Sequence, residues 1–155
     1  KKHFLGVVDI INRLIEVINP KKLYLGKKDY QQLHLIKKHV DKRNIQIKII
    51  ECKTIREKNG VACSSRNENL SPNQLIIASK VFKYIKKLKN YIKKNKKKPY
   101  SLNHIYSTIL KIGVTKVEYI NFINLKNLSN TKNFNNKFNI FISYYLNKTR
   151  LIDNI

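Results

Sequence analysis

Leu5, Val8, Ile11, Leu14, Ile15 and Ile18 recur at spacings of three and four, the period of one helix face. Residues 4–18 are therefore predicted as an amphipathic helix, with Asn19-Pro20 as its stop. Lys22 to Leu25 reads as a short strand, followed by the turn Gly26-Lys27-Lys28. A second helix is expected from Asp29, carrying Leu33, Ile36 and Val40 on one face. Ile45 to Ile50, rich in β-branched residues, reads as a buried strand. Helix, strand, helix, strand in this order predicts a piece of a parallel α/β sheet, too short to be a whole doubly wound domain.

From Thr54 to Leu70 the chain turns polar, and a loop is expected. Ser71-Pro72-Asn73-Gln74 is a strong helix start: a serine cap, a proline in the first turn and a glutamine placed to close a capping box. Leu75, Ala78, Phe82, Ile85, Leu88 and Ile92 continue the apolar stripe, and Lys93 to Lys98 reads as a solvated helix end and connector. A shorter helix is predicted from Leu102 to Ile112, ended by Gly113. Val117 to Phe122 and Phe138 to Leu146 are strand candidates, with Arg150 to Asp153 as a last short one. Helices followed by strands predict an α+β second unit.

Composition narrows the class. A chain of 155 residues with 42% hydrophobic content is long enough for one domain, or for a small domain carrying part of another. No apolar run approaches the roughly 20 residues of a membrane helix, and no secretory signal opens the chain. The first residue is Lys1 and methionine is absent throughout, so the chain is read as a piece or processed product of a longer one. Cys52 and Cys63 form no CxxC pair, and the four histidines show no metal-ligand spacing; no metal site is predicted. A reducing, cytoplasmic setting is expected.

Thirty-three Lys and Arg against nine Asp and Glu give a net charge of +24. Such an excess raises the possibility of a basic nucleic-acid-binding module. The excess is mostly lysine, however, interspersed with abundant Ile and Asn, residues that share AT-rich codons. No helix-turn-helix, zinc-finger or RNP-like pattern accompanies it. The expectation is no specific nucleic acid and no membrane partner, with non-specific polyanion binding at low salt.

Two segments carry candidate chemistry. Gly26-Lys27-Lys28-Asp29-Tyr30-Gln31-Gln32 lies between a predicted strand and a predicted helix, where open α/β sheets bind ligands. Glycine there permits close backbone approach, lysine can neutralise phosphate, and a carboxylate can accept from ribose hydroxyls. The plain alternative is a surface turn in which Asp29 and Gln32 form a capping box. Ser64-Ser65-Arg66-Asn67 places two hydroxyls and a guanidinium in one loop, a good anion clamp. Its plain alternative is a polar connector whose serines cap turns. No Walker-type GxxxxGK[ST] stretch is present.

Together and in order, the segments resemble the pantoate–β-alanine ligase (pantothenate synthetase) family. Its members carry Gly-Glu-Lys-Asp-[Phe/Tyr]-Gln-Gln and then Arg-x-x-Asp-Gly-Leu-Ala-[Met/Leu]-Ser-Ser-Arg-Asn. His3-Phe4-Leu5-Gly6-Val7 and Thr149-Arg150-Leu151-Ile152-Asp153-Asn154 also look like the family's segments, so the likeness runs nearly the length of the chain. Lys27 stands where glutamate is usual, Lys53 for proline, Asn59 for aspartate, and Cys63 for methionine or leucine. The family's amino-terminal segment with its His-x-Gly-His-like signature has no counterpart here.

The resemblance implies an α/β plus α+β architecture. Residues 1–54 would be the remnant of a Rossmann-like parallel α/β nucleotide-binding domain, and 55–155 a small α+β lid domain with helices and a short antiparallel sheet. It implies ATP-dependent joining of pantoate to β-alanine through pantoyl adenylate, with Mg2+ and a homodimer. The implied catalytic residues are Lys28, Arg66 and His3. ATP would be held by Gly26, Lys27, Lys28, Asp29, Ile55, Cys63, Ser64, Ser65 and Arg66, and pantoate by Gln32. A truncated, inactive relative is the alternative within the family, and the 155 residues alone are expected not to turn over.

Overall fold

The computed structural model describes residues 2–155, with side chains described from residue 6 onward. They divide into two compact units, Lys1–Thr54 and Ile55–Ile155.

The first unit runs α1 (Lys2–Ile18), β1 (Lys22–Gly26), a 3-10 turn (Lys27–Asp29), α2 (Tyr30–Lys42) and β2 (Lys48–Cys52). Asn19 closes α1 in the left-handed region, φ 46°, and its N–H bonds to the carbonyl of Ile15. β1 and β2 pair in parallel, with Leu25 opposite Glu51 and Gly26 opposite Cys52. Leu33, Ile36 and Val40 are buried on α2, the face the spacing predicts. The second strand begins later than the β-branched run suggests. Asn44 has φ 51°, the Ile45 N–H caps the Val40 carbonyl and the Ile47 N–H bonds to Ile45. Residues 43–47 are consumed in leaving α2.

The second unit contains α3 (Pro72–Asn95), α4 (Leu102–Lys111), β3 (Lys116–Asn124), β4 (Phe138–Leu146) and β5 (Thr149–Asn154). The strands form an antiparallel sheet in the order β3-β4-β5. α3 begins as its sequence dictates. Gln74 N–H donates to the Ser71 hydroxyl at 3.3 Å, and Ser71 N–H to the Gln74 side chain at 2.8 Å. Lys96, at φ 57°, ends it. Gly113 follows α4 at φ +114°, a conformation that disfavours any side chain.

The core gathers Ala78, Val81, Ile85, Leu88 and Ile92 of α3, Ile105 and Ile109 of α4, and Ile120, Ile140, Ile142 and Leu146 of the sheet. Phe82 does not join them as the stripe predicts. Val81 takes the core position, while the Phe82 ring lies beneath the Arg56 guanidinium, 4.5 Å from its centroid. No helix among the described residues is long and apolar enough to cross a membrane.

Candidate functional site

In the first unit, Gly26 is the last residue of β1, and Lys27, Lys28 and Asp29 form the 3-10 turn leading into α2. Gly26 is extended, φ −72° and ψ 134°, so no left-handed conformation requires glycine here. A Cβ at this position would meet nothing within 4 Å, which leaves the backbone open to close approach. The capping box read from Asp29 and Gln32 does not form: the Asp29 side chain makes no cap hydrogen bond and is exposed. Gln32 follows on the first turn of α2, half-buried.

Glu51 organises this turn, and sequence reasoning missed it. Parallel pairing sets Glu51 beside Leu25, two residues before the turn begins. Its carboxylate takes Lys27 Nζ at 3.0 Å and Lys37 Nζ at 2.8 Å. The hydrogen bond from Lys37, then that from Lys27, holds the Glu51 carboxyl below its ordinary range. The same bond raises Lys37. Lys27 thus ties the turn to β2, and Lys37 ties β2 to α2. The available signal was a single acid in the strand Lys-Ile-Ile-Glu-Cys.

In the second unit, Ile55, Cys63, Ser64, Ser65 and Arg66 lie along one small hairpin and the turn after it. Arg56 and Ala62 form an antiparallel bridge, and the Cys63 N–H donates to the Ile55 carbonyl at 3.0 Å. The Cys63 thiol donates to Glu57 Oε1 at 3.3 Å. Ser64 accepts from the Arg66 N–H at 3.3 Å, capping a 3-10 helix over Ser65–Asn69; the plain reading of this serine as a turn cap is what the geometry shows. The Ser65 and Arg66 side chains are exposed. Among the described residues, Arg66 Nη1 reaches the Arg150 carbonyl at a long 3.5 Å. An open depression of about 570 Å3 beside them is lined by Glu57, Lys58, Asn59, Ser64, Asn67, Glu68 and Leu75.

The sequence-predicted residues therefore gather as two groups, one in each unit. His3 lies outside the described side chains. Among the described residues no three acidic, histidine or cysteine side chains converge to hold a metal ion.

A family model described as pantoate-beta-alanine ligase matches residues 1–155. Curated pantothenate synthetases are similar over nearly the whole chain. That of Clostridium botulinum (strain Loch Maree) is 37% identical over 98% of this chain and 54% of its own length. That of Caldicellulosiruptor bescii is 35% identical over 99% and 55%. The chain spans about half the length of the curated relatives it matches. A solved Francisella tularensis pantoate-beta-alanine ligase, complexed with beta-gamma ATP and beta-alanine, is 35% identical with TM-score 0.74, over 99% of this chain and 50% of that one. Pantothenate synthetase from Thermus thermophilus shares the fold, with TM-score 0.82 at 23% identity, over 97% of this chain and 54% of that one.

Proposed function

The chain belongs to the pantoate–β-alanine ligase family, and from that premise we propose that it serves the ATP-dependent joining of pantoate to β-alanine. The observation that carries this reading is the family match along the chain, with Gly26–Gln32 set where a parallel strand ends and a helix begins. In the reaction, the pantoate carboxylate attacks the α-phosphate of ATP and pyrophosphate departs, leaving pantoyl adenylate. The β-alanine amine then attacks the acyl carbon and AMP leaves. A carboxylate alone would have to expel oxide; the adenylate expels AMP instead. Positioning and charge neutralisation are what remain for the protein to supply.

Residues 1–54 act as part of a Rossmann-like nucleotide-binding domain and 55–155 as its lid. Asp29 accepts from the ribose hydroxyls, and Gly26 gives the nucleotide its backbone approach. Lys28 faces phosphate and stabilises charge on the transferring group. Lys27, held by Glu51, adds positive potential to the turn while fixing its shape. Gln32 hydrogen-bonds pantoate. Ser64, Ser65 and Arg66 serve the phosphates, Cys63 continues that loop, and the Ile55 backbone serves adenine. His3 acts near the phosphates. The described side chains offer no cluster of three acidic, histidine or cysteine groups, and Mg2+ would come with the triphosphate, whose oxygens are its natural ligands. The enzyme works as a cytoplasmic homodimer.

The test is a chimera in which this chain replaces the matching part of the Clostridium botulinum relative. It should form pantothenate with one AMP and one pyrophosphate per turnover, whereas the 155 residues alone should form none. Lys28→Ala in the chimera should lower kcat by about 100-fold or more while the fold survives, the order of loss when a preorganised charge contact is removed. Full activity of the Lys28→Ala chimera would refute the assignment.

A further inference from the structure

Resting on the reading of Ser64–Arg66 as a phosphate loop, we propose that Arg56 and Asp153 form a clamp that sets the aim of that loop. Arg56 Nη1 donates to Asp153 Oδ2 at 2.6 Å and Nη2 to Oδ1 at 2.9 Å. This is a two-point fork that lysine cannot reproduce. The same guanidinium donates to the Gly60 carbonyl at 3.1 Å and the Asn154 carbonyl at 3.3 Å. Its Cζ lies over the Phe82 ring, 4.5 Å from the centroid.

These contacts bear on the hairpin itself. Gly60 sits at φ +90°, where a Cβ would run into that same Phe82 ring. Arg56 thus grips the turn backbone, the ring beneath it and the last strand at once. Two residues beyond its bridge partner Ala62 comes Ser64. β5 backs the loop at two points: Asp153 holds the stem, and the Arg150 carbonyl receives Arg66 at the tip. The anchor continues inward. Asn139 donates to the side chain of buried Asn154 at 2.8 Å and accepts from Lys89 at 2.6 Å. Arg56 and Asp153 touch no reacting atom in this scheme; they are positioning residues.

Inorganic pyrophosphate, titrated into the 155-residue chain at physiological salt and followed by the amide signals of Ser64–Arg66, tests this. Arg66→Ala examines the loop reading separately, and unchanged binding there removes that reading and the clamp with it. If Arg66→Ala weakens binding, Arg56→Lys should weaken it roughly tenfold although net charge is kept, with the far-UV spectrum native. Asp153→Glu should retain more affinity than Asp153→Asn. Parental affinity in a folded Arg56→Lys chain overturns the clamp. Should Arg56→Lys fail to fold, Asp153→Asn decides: weakened binding in a folded chain supports the clamp, and parental affinity overturns it.

Discussion

The second unit closes around a continuous core in which Ile85, Ile92, Ile105, Ile109 and Ile140 are fully buried. The first unit has, among the described residues, only the Leu33, Ile36 and Val40 face of α2 below the surface. Ile10, Leu14, Val17 and Ile18 of α1 are exposed, as is Tyr24 of β1. Parallel sheets are ordinarily covered on both faces, and two strands alone are marginal. Within these 155 residues, which span about half the length of the relatives, the two candidate groups therefore have different supports. Ser64–Arg66 is braced by a packed α+β unit, whereas Gly26–Asp29 depends on two strands, one helix face and the Glu51 ion pairs. Family likeness reports the residues of both groups alike; packing distinguishes them.

Core truncation should break this comparison most visibly. Ile109→Ala is expected to cost the second unit about 2–5 kcal/mol, from lost burial plus the cavity left behind. Val17→Ala, at an 84% exposed position, should stay within about 0.5 kcal/mol. Denaturant melts of both variants provide the measurement, and comparable losses would show that α1 is as well packed as the core.

A smaller effect sharpens the picture through pH. Burial first, and the charge of Lys93 second, push Lys89 down to about 8 from an ordinary 10.5. Between these values the unfolded chain holds a proton that the folded chain has released, so stability increases as pH climbs through that window. Burial raises Tyr84, Tyr119 and Tyr144 instead, which lowers stability once pH passes their ordinary 10.0. The Tm of the second unit should thus climb between pH 8 and 10 and then turn over. Lys89→Met should flatten the climb, and an unchanged slope in that variant would place its origin elsewhere.

What was legible in the sequence was what short-range physics decides. Ser71 and Gln74 form their capping box because both partners lie within one turn. Asp29 and Gln32 have the same spacing, yet a 3-10 turn precedes α2 and the Asp29 cap is not made. The Ile45–Ile50 run looked like strand throughout, but Ile45 is spent on the α2 carbonyl. Phe82 fitted the apolar stripe and was instead claimed by Arg56. The candidate site residues could be named from their motifs in order. Their supports could not: Glu51 reaches Lys27 only once the strands pair, and Arg56 meets Asp153 across 97 positions of chain.

The most direct test of the proposed ATP-binding role of Gly26–Asp29 and of Ser64–Arg66 is an amide-resolved titration of the 155-residue chain with ATP at physiological salt. The account predicts saturable shifts at Gly26, Lys28 and Asp29, and at Ser64, Ser65 and Arg66, that persist as salt rises. Shifts confined to the lysine-rich 93–98 connector, fading as salt rises, would contradict it and leave the +24 charge as the only source of binding.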